Sequence, residues 1–225
     1  MPKGMKTAFR SCFRPPVPQV FDAARYLDAA ASAHLAGHGE LAEHLIRVAD
    51  MDDVREWTES LWGKASIYVL PRAIQGGLPT LDKSNRIPVR MPNATEKKLI
   101  HDRDGFHCRF CEVPVIRPEI RQTLALHYPK VLRWEKTNLG QHAAFQAMWA
   151  QYDHVIPHAR GGDNSLANTI LTCAPCNFGK MNYTLEELSL SDPRLRRPVQ
   201  DSWEGLERLL TICTKPSTRN TLVAH

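Results

Sequence analysis

The sequence predicts an α+β fold that is mostly helical, with a small N-terminal helical region ahead of a compact module. Apolar residues recur at helical spacing between residues 21 and 61. Farther along, two Cys-x-x-C pairs are separated by 61 residues, and a strand-like apolar segment, residues 169–172, precedes the second pair. Aspartate, histidine and asparagine side chains surround that segment, so residues 153–177 organise the rest of the chain.

Composition limits the class of protein. The chain has 225 residues, 43% hydrophobic and 24% charged, as expected for a soluble globular protein with one large domain or two small ones. The basic N-terminus lacks the apolar run of a signal peptide, and no segment supplies the roughly 20 apolar residues of a membrane helix. We therefore expect a cytoplasmic protein without a membrane partner, in which the six cysteines do not form a disulfide framework.

Charge is distributed unevenly along the chain. Residues 21–59 hold nine acidic and three basic side chains, whereas residues 1–20 carry +4 and residues 60–225 carry +7. A basic body suits a polyanion such as nucleic acid, although random surface imbalance explains the charge equally well. The acidic helices within residues 21–59 are a candidate docking surface for a protein partner.

Residues 1–92 are expected to form an irregular arm, a helical unit and a connector. Three helices, the first from Phe21 and the third from near Asp52, each carry one apolar stripe. The expected inward positions are Phe21, Ala24, Leu27 or Ala31, and Leu35 in the first helix, Leu41, Leu45 and Val48 in the second, and Val54, Trp57 and Leu61 in the third. Residues 63–93, rich in glycine and proline, predict a connector with one short strand near residues 67–70.

Residues 93–190 are expected to form the second module, with an insertion at about residues 114–150. The insertion contains a helical run whose apolar stripe predicts core packing, rather than a platform for stacked bases. That stripe consists of Phe145, Met148 and Trp149.

Helices are also expected on both sides of the insertion. One runs over about residues 95–103 and ends at an Asp-Gly turn. A capping-box pattern from Thr184 to Glu187 predicts a short helix, and residues 191–225 predict a linker followed by a last helix that begins near Asp201.

Four cysteines have the spacing of metal ligands. Each Cys-x-x-C pair offers two thiolates from one tight turn, and two pairs complete the tetrahedron that zinc prefers. The expected ligands are Cys108, Cys111, Cys173 and Cys176. Four thiolates leave no open coordination position, so this zinc site is expected to be structural. A redox-active pair is the weaker alternative, because no βαβ pattern surrounds either motif.

A second candidate site shares this scaffold. Asp153 and His154 precede an apolar strand expected at residues 155–157, Asn168 precedes a second strand, and Asn177 opens a helix. Phosphodiester hydrolysis requires a base that activates water and a cation that neutralises developing charge. His154 suits the first role because histidine is largely neutral at cellular pH. Asp153 and Asn177 offer the oxygen ligands that Mg²⁺ or a similar divalent ion requires.

These residues and spacings resemble the HNH (ββα-metal) endonuclease family, in the subgroup whose two Cys-x-x-C knuckles bind structural zinc. The resemblance covers about residues 105–182. It implies that His154 is the general base, that Asp153 and Asn177 hold the catalytic metal, and that Asn168 braces the loop and orients the base. Many members have histidine where this chain has Asn177, which implies a weakly held metal.

Three further side chains are candidate nucleic-acid contacts. His158 follows His154 by four residues, a spacing that does not ensure convergence on a strand-and-loop path, and it is a candidate contact for the scissile phosphate or a metal-bound water. Arg160 and Lys180 flank the site and are candidates for phosphate binding, with Lys180 expected on the helix face of Asn177. Solvated side chains are the alternative interpretation.

The leading hypothesis is a divalent-metal-dependent DNA endonuclease that nicks or cuts both strands, in phage defence, restriction or a mobile element. RNA is the alternative substrate. Two other classes stay open. One is a zinc-stabilised nucleic-acid-binding module without catalysis, and the other is an effector subunit that is active only within a complex. The 41 residues between Cys111 and Asp153 either shape a substrate groove or thicken the core.

Overall fold

The computed structural model describes residues 9–62, 65–88 and 91–211. Within these ranges the chain forms eight α-helices, four short 3-10 turns and one two-stranded antiparallel sheet. The helices are α1 (Pro18–Leu35), α2 (Gly39–Val48), α3 (Asp52–Glu59), α4 (Ala94–Asp104), α5 (Pro118–His127), α6 (Ala143–Ala147), α7 (Ala174–Lys180) and α8 (Arg208–Thr211). The strands are β1 (Ala150–His154) and β2 (Thr169–Cys173). The predicted fold class, α+β and mostly helical, is confirmed.

The N-terminal helices pack through small and aliphatic side chains. Helix α1 begins with a proline, whose fixed φ suits the first helical position, and it packs on α2 through an alanine-rich face. In α2 the inward residues are Ala42 and Ile46, whereas Leu41 is 50% exposed. The prediction that Leu41 faces inward was therefore wrong. The buried stripe is displaced by one position and runs through Ala42 and Ile46, an i, i+4 pair. In and just after α3, the expected Val54, Trp57 and Leu61 are fully buried.

The core continues from these helices into the second module. Helices α1 and α3 both contact α6, and the ring centroids of Phe13 and Phe110 lie 6.5 Å apart. Phe145 and Met148 are buried, which confirms that this stripe packs in the core, although Trp149 at its end stays partly exposed. The insertion therefore thickens the core that supports the sheet.

The connector contains no strand within residues 65–88. Ile67 and Leu70 are 74% and 67% exposed, so the strand predicted there was wrong. Residues 67–69 (Ile-Tyr-Val) are β-prone, but in the described part of the chain no strand pairs with them, and a strand requires a hydrogen-bonded neighbour. Helix α4 follows as predicted, with a reciprocal capping box between Asn93 and Glu96 and a left-handed Gly105 at its end.

The segment after α7 differs from expectation. Thr184 and Glu187 form both capping hydrogen bonds, Thr184 N to Glu187 Oε2 at 2.7 Å and Glu187 N to Thr184 Oγ1 at 3.2 Å. Only a turn follows, because Leu190 N bonds back to Leu185 O and Ser189 adopts a positive φ of 53°. The predicted short helix was therefore wrong.

The last described helix also begins later than the sequence predicts. Helix α8 starts at Arg208 rather than near Asp201. Trp203 and Glu204 lie outside any helix, residues 205–207 form a turn, and Glu204 Oε2 accepts the backbone N–H of Arg208 at 3.0 Å. Within the described ranges, no helix combines the length and the apolar character that crossing a bilayer demands.

Candidate active site

The candidate site is built on β1, β2 and α7. The two strands pair antiparallel, with Asp153 opposite Ile170 and His154 opposite Thr169. Strand β2 runs directly into α7, whose first turn contains a proline at Pro175. Two strands and one helix thus place Asp153 and His154 at the end of β1, beside the helix that carries the predicted Asn177.

The loop after β1 departs from the predicted strand at residues 155–157. Strand pairing ends at His154 for two reasons. The Asn168 side chain hydrogen-bonds the backbone N–H and C=O of Ile156, and Pro157 has no N–H to donate. Asn168 Oδ1 accepts the Ile156 N–H at 2.8 Å, while its Nδ2 donates to Ile156 O at 3.1 Å and to Asp163 O at 2.8 Å. Asn168 is 5% exposed, so this brace is shielded from water.

Gly162 is required by the same loop. A Cβ on Gly162 would lie 1.8 Å from Ile156 O and 2.9 Å from Asn168 Nδ2. No side chain fits there without opening the loop, so the Gly-Gly sequence allows the backbone to close against the Asn168 brace.

The four cysteines converge behind the sheet. Their Sγ atoms all lie within 4.8 Å of one another, and all four residues are buried. Zinc–sulfur bonds of about 2.3 Å would set the sulfurs of a tetrahedron roughly 3.8 Å apart, so the cluster has the size of a zinc site. The Sγ atoms of Cys111 and Cys173 lie 3.5 Å apart, which is not a disulfide, and all four thiols are free. Four buried cysteines could therefore hold a metal such as zinc.

Electrostatics also favours a cation in this cluster. Burial raises the pKa of Cys111 and Cys173, so these thiols alone would remain neutral. A bound metal ion reverses that preference, because it coordinates the thiolate form. The donor set and its burial thus fit a structural zinc ion.

A buried carboxylate that sequence reasoning missed joins the upstream knuckle to β2. Asp104 is 1% exposed and accepts two hydrogen bonds from the guanidinium of Arg103, at 2.8 and 2.7 Å. Its Oδ2 also accepts the Leu171 N–H at 2.9 Å, while Arg109 N donates to Leu171 O at 2.8 Å. The only sequence signal was an Asp-Gly pair, which indicated a turn.

An open cleft of about 740 Å³ lies in front of β1 and α7. One wall carries Asp153, His154 and Asn177, which the sequence placed together. The connector also lines this cleft through Lys83 and Arg86, an approach that the sequence did not predict. Two cationic side chains thus line the same cleft as the aspartate and histidine, with the Arg86 guanidinium held by Leu81 O at 3.0 and 2.8 Å. Positive charge at the cleft suits a polyanionic substrate.

Lys180 lies in the interior rather than at the cleft surface. Its side chain is 0% exposed, and its Nζ donates to Asp153 Oδ1 at 3.3 Å and to His154 O at 2.7 Å. The expected phosphate contact does not fit this placement, because the ammonium is shielded from solvent. Three residues advance less than a full helical turn, so Lys180 and Asn177 point in different directions from the helix. That offset points Lys180 toward the sheet, while Asn177 lines the cleft.

The Asp153 carboxyl group is buried, but it lies next to the Lys180 ammonium. Burial raises the pKa of its carboxyl group, and the Lys180 ammonium opposes that shift. Oδ2 lies 3.2 Å from Lys180 Nζ, but it accepts no hydrogen bond from any residue in the described part of the chain. A buried carboxylate oxygen with spare acceptor capacity, at a cleft that Asn177 also lines, fits a divalent cation. Asp153 and Asn177 together offer one carboxylate and one amide, so the protein would supply few ligands to this cation.

The structure ties His158 and Arg160 to the connector. His158 Nε2 donates to Ile87 O at 2.7 Å, and its ring centroid lies 6.0 Å from that of His154. Arg160 donates to Leu78 O and bonds Glu187 at 3.0 Å, so its guanidinium is occupied by intramolecular partners. His158 remains at the cleft, whereas Arg160 acts as a clamp between the loop and the connector.

Comparison with known proteins identifies one family. A family model described as HNH endonuclease matches residues 131–185, roughly a quarter of the chain. The match includes β1, β2, α7 and the second Cys-x-x-C pair, and it confirms the resemblance seen in the sequence. It indicates a nuclease and implies a nucleic-acid substrate. No curated protein and no solved structure shows significant similarity to the chain.

Proposed function

We propose that this chain, which carries an HNH endonuclease module over residues 131–185, is a divalent-metal-dependent endonuclease that hydrolyses phosphodiester bonds in DNA. The observation that carries the proposal is the convergence of His154, Asp153 and Asn177 on one open cleft. Lys83 and Arg86, which line the same cleft, supply positive charge for the phosphate backbone.

His154 acts as the general base. Its imidazole takes a proton from a water molecule as the water oxygen forms a bond to phosphorus, and the bond from phosphorus to the 3′ oxygen breaks. The departing oxygen is protonated from solvent, which leaves 5′-phosphate and 3′-hydroxyl ends, as the family implies. The hydrogen bonds of Asn168 to the Ile156 backbone hold the loop that follows His154 and so keep the base oriented.

Asp153 and Asn177 hold the catalytic divalent ion, Mg²⁺ or a similar cation. When bound, such an ion neutralises the charge that develops on phosphate and on the leaving oxygen. The spare acceptor capacity of Asp153 Oδ2 supports this role. Lys180 is a positioning residue that fixes the Asp153 carboxylate and the His154 carbonyl from behind.

Cys108, Cys111, Cys173 and Cys176 hold structural zinc. Because Cys176 and Asn177 are adjacent on α7, the zinc fixes the helix that presents Asn177 to the cleft. The metal thereby links the stability of the module to the geometry of its catalytic side.

Cleavage of supercoiled plasmid, single-stranded DNA and RNA with Mg²⁺ or Mn²⁺ tests the proposal. The expected result is metal-dependent conversion of plasmid to nicked or linear DNA, abolished by a chelator of divalent ions and carrying 5′-phosphate ends. Cleavage of RNA alone would reassign the substrate, and cleavage that persists after complete removal of divalent ions would contradict the metal role.

A non-catalytic nucleic-acid-binding module is the second candidate. The buried ion pair between Lys180 and Asp153 favours it, because a carboxylate that serves only structure would be paired in this way. Salt-dependent DNA binding without cleavage under any divalent ion would support this alternative.

A further inference from the structure

Four aromatic side chains form a continuous series that leads away from the cleft. They are Trp62, Phe178, Trp149 and Trp134, termed here the aromatic row. Successive ring centroids lie 4.8 Å (Trp62–Phe178), 6.2 Å (Phe178–Trp149) and 5.7 Å (Trp149–Trp134) apart. Arg121 continues the series, with its guanidinium carbon 3.6 Å from the centre of the Trp134 ring.

The aromatic row remains partly open to solvent. Phe178 is 36% exposed, and the three tryptophans are partly exposed. Trp57 shows the contrast, because it is fully buried and its Nε1 donates to Pro15 O at 3.0 Å. Single exposed apolar residues are ordinary, but a contiguous apolar surface of large rings marks a site of interaction.

The aromatic row is continuous with the candidate active site. Phe178 follows Asn177 on α7 and lines the same cleft as His154. The exposed Lys83 in this cleft can pair with phosphates, and Arg86 adds positive charge there although its guanidinium donates to Leu81 O, while the aromatic row offers ring faces. Aromatic rings beside a cationic groove are the combination that binds single-stranded nucleic acid.

Duplex DNA cannot use such a surface, because its bases are already stacked on one another. Unpaired bases can stack on protein rings and on guanidinium planes, in a manner that tolerates any sequence. We propose that the aromatic row binds the unpaired bases of a single-stranded stretch of DNA next to the phosphate held in the cleft. The substrate class is then single-stranded or locally opened DNA, an inference that rests on the proposed nuclease function.

Binding measurements with the His154→Ala protein test this inference without cleavage. Fluorescence anisotropy compares an oligothymidine of about 16 nucleotides, the matching duplex and the corresponding RNA. We expect the single-stranded DNA to bind most tightly and to quench tryptophan fluorescence. Phe178→Leu and Trp134→Leu, which keep apolar volume but remove the ring, should each weaken this binding about tenfold.

Tyr26→Leu is the matched control. Tyr26 is 37% exposed, nearly the same as Phe178, but it lies on α1 among acidic residues. Its replacement should leave the affinity for single-stranded DNA unchanged.

Three results would overturn the inference: unchanged affinity in Phe178→Leu, tighter binding of duplex, or binding without tryptophan quenching. Tighter binding of the RNA would overturn the assignment to DNA. Failure of the nuclease proposal looks different, because the unsubstituted chain would then bind single-stranded DNA through the aromatic row but cut no substrate.

Discussion

Lys180 Nζ lies 3.3 Å from Asp153 Oδ1, and the lysine side chain is entirely shielded from solvent. The same nitrogen donates to the carbonyl of His154 at 2.7 Å. One side chain from α7 therefore holds two consecutive residues at the end of β1. The buried ammonium fixes the carboxylate proposed as a metal ligand and the backbone of the proposed base.

Replacing Lys180 by methionine should destabilise the protein strongly. The change leaves Asp153 as a buried carboxylate without its cation, which typically costs about 3–5 kcal/mol. Lys98→Met is the control, because the Lys98–Asp102 pair is largely exposed and its loss should change the free energy of unfolding by less than about 1 kcal/mol. Urea unfolding measures both. Equal effects of the two changes would contradict the buried pair, and adding Asp153→Asn to Lys180→Met should restore part of the stability.

Asn168→Asp should weaken both the loop and cleavage. The aspartate keeps the acceptor for Ile156 N–H, but it loses the donors to Ile156 O and Asp163 O and sets a carboxylate against two carbonyls. We expect a loss of about 2–3 kcal/mol in the free energy of unfolding and a lower cleavage rate. Asn138→Asp, an exposed asparagine in a 3-10 turn, provides the control. An Asn168→Asp protein with unaltered stability and rate would exclude the brace.

The stability of the protein should depend on pH through His101. Burial lowers the pKa of His101 to about 4, while its Nε2 lies 3.0 Å from the hydroxyl of Tyr152. As pH falls, His101 binds a proton near pH 6.5 in the unfolded chain but only near pH 4 in the folded chain. The stability that is present above about pH 6.5 is therefore lost as pH falls toward about 4. The complete loss due to His101 is about 3 kcal/mol.

His101→Gln separates this effect from the protonation of the cysteines. Glutamine can still hydrogen-bond the Tyr152 hydroxyl but does not titrate, so the variant should lose less stability between about pH 6.5 and about pH 4. Denaturant unfolding of both proteins across that range makes the comparison. Parallel curves would show that His101 is not responsible.

Cys176→Ser should reduce zinc content, stability and cleavage together. Loss of one of four thiolate ligands opens the cluster and releases the helix that carries Asn177. We expect the melting temperature to fall by roughly 10 °C, which corresponds to about 3 kcal/mol for a chain of this length. Cys12→Ser is the matched control, because Cys12 lies outside the cluster. Full zinc content in Cys176→Ser, measured by elemental analysis, would remove Cys176 from the ligand set.

The sequence was informative wherever chemistry constrains spacing. Zinc requires four thiolates from two tight turns, so the cysteine cluster was predictable from two Cys-x-x-C pairs. Strand β2 and helix α7 were likewise predictable, because the ligands fix the order of a strand and a helix around them. The burial of Phe145 and Met148 followed from helical periodicity.

Features that depend on tertiary packing could not be predicted. The position of Lys180 depends on how α7 lies against the sheet, and spacing from Asn177 alone suggested the wrong face. Strand β1 ends with Asp153 and His154 rather than following them, because the Asn168 side chain bonds the backbone N–H and C=O of Ile156. The connector carries no periodic signal, so its approach to the cleft through Lys83 was invisible in the sequence.

The most direct test of the central claim is plasmid cleavage by the His154→Ala protein in Mg²⁺ or Mn²⁺. The control is His44→Ala, an exposed histidine on α2, prepared identically and matched for zinc content and melting temperature. If His154 is the general base, its removal should lower the cleavage rate by about 100-fold or more, while His44→Ala cleaves like the unsubstituted protein. Equal cleavage by the two variants would contradict the assignment of His154 and of the cleft as the catalytic site.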